Sequence, residues 1–382
     1  MQIETKLWRG VNILLDSYVE IHSDDRILLI YTVDSWEAVA WVSAALEMRN
    51  AAHNRLWMTP LVDPGFPARL EQALSGADKS PGRLVVLTFE RDTMSHGPVL
   101  DEALARYDPK RVALFRTISA GSDLFESALQ ARPAELSARN TTVLEKCMNA
   151  RRLRIRTKGG TDLDVSLDSQ RHRWISNRGV SRPGSTTILP AGEVATYPSS
   201  VDGVHVADVA FNVNAIVARD ARLERFPVTI WIEDGRVTRF RCESGETSRF
   251  LDDCFQEQCA VNIGELGFGT NFQIARPVAM NSHINERIPG VHLGLGQHNQ
   301  EGSVVSYRCS IHLDLIGRGG MIWADDDPVP LDLERLEPSL NPHPTQARSE
   351  DVFSGDVSEL GDGDCCGLLA KHQFEPSPFP VQ

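Results

Sequence analysis

The segment 261–316, VNIGELGFGTNFQIARPVAMNSHINERIPGVHLGLGQHNQEGSVVSYRCSIHLDLI, places ionisable groups where a folded chain tolerates them least. Glu265, Glu286, His292, His312 and Asp314 stand in short apolar or glycine-bounded runs. A charge buried in such a context is costly unless a partner or a metal ion compensates it. SIHLDLI reads as a strand, and residues two apart on a strand share a face. His312 and Asp314 therefore project side by side, an imidazole and a carboxylate suited to a divalent ion that takes N and O donors. No cysteine is needed to complete the set.

At 382 residues the chain is long for a single core, and two domains are expected. A formal net charge of -13 argues against nucleic acid as a partner, because phosphate binding needs a basic face. The opening MQIETKLWRGVNILLDSYVE lacks the basic-then-apolar order of an export signal, and no apolar run has the length of a membrane span. Seven cysteines, an odd number without an export signal, are expected to stay reduced. The expected location is the cytoplasm.

Residues 1–149 read as a doubly wound α/β domain. The runs 26–33, 55–62, 83–89 and 111–118 are short and apolar, as strands of a buried parallel sheet are. Helical spacing fills the intervals, over SWEAVAWVSAALEMRNAA, 67–77 and 100–107. The turn after the first strand is TVDSW, so no GxGxxG opens the first helix and no dinucleotide site is expected there. From 150 to 323 the texture becomes mainly antiparallel α+β. LRIRTKGGTDLDVSLD and PVTIWIEDGRVTRFRCE read as hairpins, the latter turning at Asp234 and Gly235, with a helix over 248–258. Residues 324–382 are acidic and rich in proline, a composition expected to leave a solvated, partly disordered tail. Truncation just beyond Asp332 is then expected to be harmless. The adjacent Cys365 and Cys366 are poorly placed to chelate one ion together.

Upstream of the ligand-rich segment, LPAGEVATYP presents Glu193 on a loop shaped by Pro190 and Gly192. LPAGEVATYP, NIGELGFGTN, NERIPGVHLGLGQ and SIHLDLI, in this order, resemble the motifs of the aminopeptidase T family of metallo-aminopeptidases. The resemblance is close over about 151–320 and loose before it. It implies two divalent ions, Zn, Co or Mn, in a cavity of the second domain. It further implies that Glu265 bridges them and that Glu193, Glu286, His292, His312 and Asp314 complete the two shells. Homodimers are implied too, with a peptide or small amide as substrate. Glu193 or Glu286 would be the general base where it is not a ligand. Peptidases of the family carry a tyrosine seven residues after the motif histidine, whereas this chain has Asn299, which can donate a hydrogen bond to an oxyanion but cannot shuttle a proton.

The same superfamily includes 2,5-dihydroxypyridine dioxygenases, which hold one Fe(II) with two histidines and a carboxylate. In those enzymes the GEL glutamate is histidine and the GEV glutamate is apolar. Here both glutamates are kept, as Glu265 and Glu193, which favours two metals and hydrolysis, although His283 offers a substitute imidazole. A member that binds peptide without turnover is the third reading, prompted by Asn299 and the acidic tail.

Overall fold

The computed structural model describes residues 5–344 apart from 77–80, 92–93, 182–183, 185 and 216. Cys365 and Cys366 lie outside the described residues. The chain opens with α1 (Lys6–Ile13) and then alternates β1 (Arg26–Thr32), α2 (Trp36–Met48), β2 (His53–Met58), α3 (Phe66–Leu74), β3 (Leu84–Phe89), α4 (Gly97–Leu104) and β4 (Val112–Thr117). Helices α5 (Ser122–Glu126) and α6 (Pro133–Cys147) follow. The next stretch is almost all strand: β5 (Arg152–Arg156), β6 (Asp162–Ser166), β7 (Trp174–Asn177), β8 (Thr186–Leu189), β9 (Glu193–Thr196), β10 (Ser200–Ala207), β11 (Ala210–Val213), β12 (Val228–Glu233) and β13 (Arg236–Arg241). After α7 (Gly245–Cys254) come β14 (Ile263–Gly269), the short α8 (His283–Glu286), β15 (Gly290–Gly296), β16 (His312–Arg318), β17 (Met321–Ala324) and β18 (Leu331–Asp332).

The first sheet is parallel, in the order β2-β1-β3-β4-β8. Its strands β1, β3 and β4 are buried on both faces because both are covered. Ile27, Leu29, Val85, Leu87 and Phe115 pack with α1, α2 and α5, while Leu28, Ile30, Val86 and Leu114 pack with α3 and α4. This is the doubly wound α/β arrangement expected, with one difference. The fifth strand, β8, arrives from beyond residue 149, so a boundary there cuts through the sheet.

The remaining strands form two antiparallel sheets, β13-β12-β10-β6-β5-β17-β18 and β11-β16-β15-β14-β9-β7. Both expected hairpins are present, and the second turns where Asp234 and Gly235 take φ of 50° and 72°, as a type I′ turn requires. One core lies between the sheets, with Leu153, Ile155, Val165 and Ile230 from one and Leu266, Phe268, Leu293, Leu313 and Leu315 from the other. His205 of β10 is sealed into this layer, contacting the Leu315 carbonyl through Nε2 at 2.8 Å and Thr161 Oγ1 through Nδ1 at 3.4 Å. Only a neutral ring can donate at one nitrogen and accept at the other.

Burial pushes the His205 pKa down from 6.5 to about 4. The neutral ring is the form the fold accepts, so its full contribution is present above the unfolded value and is lost as pH falls through 6.5 towards 4. The loss amounts to roughly 3 kcal/mol. Thermal unfolding at pH 7.5 and pH 5 checks this: His205→Gln should lose less stability over that interval than the parent protein. An equal loss in both removes His205 as the cause.

The acidic segment departs from expectation. β18 pairs with β17, Leu333 and Leu336 are buried, and the His343 ring meets Ser176 Oγ through Nε2 at 2.9 Å. A few apolar residues spaced among acidic ones suffice to dock a strap on an existing core, although they could not build a core alone. Residues 345–382 lie outside the described part. Truncation after Asp332 is now expected to cost roughly 3 kcal/mol, because the burial of Leu333 and Leu336 against the core is lost with them. Denaturant unfolding of the two lengths measures it.

The cysteines also depart from expectation, because Cys259 and Cys309 form a disulfide across 50 residues of sequence. Their Cα atoms are 5.6 Å apart, within bridging range, since β14 and β16 flank β15 and both begin beside its C-terminal end. Among the described residues no helix is long and apolar enough to cross a membrane.

Candidate metal centre

Strand periodicity divides the residues of β14, β15 and β16 between two faces. Leu266, Phe268, Val291, Leu293, Leu313 and Leu315 enter the core between the sheets. Glu265, His292, His312 and Asp314 take the opposite face, towards α8 and the parallel sheet, and Glu193 joins them from the adjacent β9. A bulge at the start of β14 lets both Ile263 and Leu266 point inward, three residues apart, while Glu265 points out.

Three glycines lie across the ladder from the four donors of β14, β15 and β16. His292 is opposite Gly267, Gly294 lies between Glu265 and Asp314, and His312 is opposite Gly296. Directly opposed side chains crowd one another, so a glycine leaves room for its neighbour to lean across. A Cβ on Gly267 would fall 1.9 Å from His292 Nε2. A Cβ on Gly294 would meet Glu265 Cβ at 2.8 Å, His312 Cε1 at 2.9 Å and Asp314 Oδ1 at 3.0 Å.

Two donor groups result, Glu193 with Glu265 and His292, and Glu265 with His312 and Asp314. In each, the ligand atoms lie within 4.8 Å of one another, and Glu265 is common to both. His292 Nε2 is 2.9 Å from Glu193 Oε1 and 3.5 Å from Glu265 Oε1, without hydrogen-bond direction to either, and neither ring nitrogen has a hydrogen-bond partner. Asp314 Oδ1 is likewise unpartnered, while Oδ2 sits 3.2 Å from His312 Nε2. His312 Nδ1 donates to the Gln297 carbonyl at 2.7 Å, which leaves Nε2 as the free lone pair facing Asp314 and Glu265.

Glu286 falls outside both groups. Its carboxyl accepts from Asn212 Nδ2 and from Arg287 Nη1, the latter at 2.8 Å, and it lies against Asp314. Arg287 also reaches Glu193 Oε2 at 2.6 Å and is itself buried. Asn299 Nδ2 donates to Glu265 Oε2 at 2.6 Å, and its Oδ1 accepts from Gln300, so the amide is committed to holding the carboxylate.

The charge balance of this face favours cations. Four buried carboxylates (Glu193, Glu265, Glu286 and Asp314) face one arginine. Burial favours protonated carboxyls, yet Arg287 and His292 hold Glu193 below the ordinary range, and His312 does the same for Asp314. Burial raises Glu265 and carries Glu286 well above its usual value, each reinforced by the neighbouring carboxylates. Although burial opposes a charged ring, Glu193 and Glu265 raise His292 well above its usual value. Asp314 and Glu265 likewise raise His312 to about 10. The histidines are being asked to supply positive charge, which a divalent ion on the same lone pairs would supply instead. The donor set therefore fits metal binding. No group among the described residues combines both imidazoles with a single carboxylate.

Arg287, Asn212, Gln297 and the facing glycines were not singled out in the sequence. Arg287 had one available cue, a cation inside NERIPG next to a carboxylate expected to be buried.

Fold and site together define a metal-binding enzyme whose donor face lies between a doubly wound sheet and an antiparallel sandwich. Comparison with known proteins agrees. The structure resembles that of 2,5-dihydroxypyridine dioxygenase from Pseudomonas putida KT2440 with a TM-score of 0.59 and 17% identity, over 87% of this chain and 97% of that one. It also resembles wild-type AmpT from Thermus thermophilus, with a TM-score of 0.56 and 14% identity, over 87% of this chain and 98% of that one. No curated protein matches the sequence. The model of the family described as NicX: 2,5-dihydroxypyridine 5,6-dioxygenase matches residues 127–329, more than half of the chain, and the chain belongs to that family.

Proposed function

We propose that the protein is a metal-dependent hydrolase of the aminopeptidase T type, cleaving an N-terminal peptide bond or a small-substrate amide with two divalent ions, Zn, Co or Mn. The observation that carries this reading is the separation of the two imidazoles, each grouped with two carboxylates and joined through Glu265. Oxygen-rich shells of this kind suit redox-silent Lewis acids, whereas a ferrous triad takes two imidazoles and one carboxylate. When bound, such ions would polarise the scissile carbonyl and acidify a water towards neutrality.

The chain's own groups divide the remaining work. Glu193, Glu265, His292, His312 and Asp314 would hold the ions, with Arg287 turning Glu193 so that Oε1 faces His292. Glu286, outside both groups and fixed by Asn212 and Arg287, is the carboxyl left to take a proton from water and return it to the leaving amine. Asn299 serves as a positioning residue for Glu265.

The second reading, a mononuclear Fe(II) ring-cleaving dioxygenase, is favoured by the family match over residues 127–329. Metal analysis of chelator-free protein, followed by paired assays, separates the two. The expected result is amine release from an aminoacyl amide or short peptide with Zn, Co or Mn, without oxygen uptake. Oxygen consumption with a hydroxylated pyridine and ferrous iron, with no amide cleavage across a broad panel, would move the assignment to the dioxygenase. A homodimer belongs to the same proposal, and sedimentation velocity tests it.

A further inference from the structure

The disulfide lies at the ends of the strands that carry the donors. Cys259 sits in the 3-10 turn Gln258–Val261 that leads into β14 and Glu265, and Cys309 lies three residues before His312. The loop it closes contains Glu265, Glu286 and His292. Short hydrogen bonds connect the bridge to the ligands. The Cys309 N–H donates to Gln297 Oε1 at 2.8 Å, and the Gln297 N–H donates to the Ile311 carbonyl at 2.7 Å. The Gln297 carbonyl in turn accepts from His312 Nδ1 at 2.7 Å, the contact that orients the ring. On the other side, the Asn262 N–H donates to the Cys259 carbonyl at 3.1 Å, and the Gly296 N–H donates to the Asn262 carbonyl at 2.8 Å. Gly296 is the cross-strand partner of His312. Cys309 is buried in the core between the sheets, whereas Cys259 is only half-buried.

We propose that Cys259 and Cys309 form a reversible redox site that sets how tightly the donor face holds its metal. In the oxidised state the bridge fixes the ends of β14, β15 and β16 relative to one another and keeps His312 Nε2 aimed into its group. Reduction is by a dithiol. One of its thiolates attacks Cys259 Sγ, the S–S bond breaks, and Cys309 leaves as a thiolate that takes up a proton. The second thiol of the reductant then displaces Cys259, so two electrons and two protons pass to the protein and the reductant becomes a disulfide. The freed 297–311 segment no longer clamps the Gln297 carbonyl, and the outer contact on His312 loosens. Loss of such a contact typically weakens metal affinity roughly 10–100-fold. The inference rests on metal binding at this face and is independent of which reaction the enzyme performs.

The probe metal is Mn2+, because Glu257 lies beside both sulfurs and the reduced pair could itself take a softer ion. Full-length protein is treated with oxidised glutathione, or reduced and desalted under argon. Differential alkylation with peptide mass spectrometry reports the state of Cys259 and Cys309, and the electron spin resonance of free Mn2+ gives the dissociation constant. The expected result is a constant roughly 10–100-fold higher after reduction, restored on reoxidation. The Cys259→Ser/Cys309→Ser double variant should bind as the reduced protein does and ignore reductant. Should that variant fail to fold, the oxidised and reduced parent protein still make the comparison. Equal affinity in two states that alkylation shows to differ would overturn the proposal, as would free thiols at both positions after oxidation or no Mn2+ binding in either state. Redox-dependent Mn2+ affinity without amide cleavage would sink the hydrolase reading and leave this one standing.

Discussion

Glu265→Gln is expected to release at least one metal equivalent per chain while leaving the fold intact. Glutamine matches glutamate in shape, so the strand and its core contacts are untouched. The charge, however, is lost from both donor groups at once, because Glu265 is the residue they share. A glutamine that turns its oxygen to keep the Asn299 hydrogen bond presents its NH2, a donor that cannot ligate, towards His292. Metal analysis of the variant purified without chelator reads the result directly. Retention of the parent's full complement would remove Glu265 from any bridging role.

Gly267→Ala should be nearly as damaging, although it adds one methyl group. That methyl would lie 1.9 Å from His292 Nε2, so the ring must swing out of its group. The backbone has no reason to object, since Gly267 is not among the positive-φ glycines of the chain. The expected outcome is therefore a folded protein whose metal affinity falls by more than the roughly 10–100-fold typical of changes around a ligand. Isothermal titration with Mn2+ measures it, alongside a melting curve. An unchanged affinity would mean that His292 is not a ligand.

The sequence carried more of the chemistry than of its support. An imidazole and a carboxylate two apart in SIHLDLI, and carboxylates stranded in apolar motifs, are local patterns that physical chemistry can interpret without coordinates. GELGFG and GVHLGLG hide their strands, because glycine ordinarily weakens a strand and breaks the alternation of apolar and polar residues. Only the cross-strand register reveals that those glycines make room for His292, Glu265 and Asp314. Arg287, the disulfide and the docking of Leu333 and Leu336 were illegible for a related reason: each depends on which distant segments become neighbours. That the first four strands form a parallel sheet was legible, since strand and helix alternate along the chain. The origin of the fifth strand was not.

That fifth strand has a consequence for synthesis. β8 completes the parallel sheet, yet α5, α6 and strands β5 to β7 are made before it. As the chain leaves the ribosome, β4 must wait with an open edge, and all six of its residues, VALFRT, are buried in the finished protein. An exposed apolar edge is a template for strand addition by another chain. A gene fragment ending at Asn149 would leave that edge open permanently, and its product is expected to aggregate. The parallel half cannot finish folding before the chain has passed Leu189, so the two halves of this protein are made as one unit.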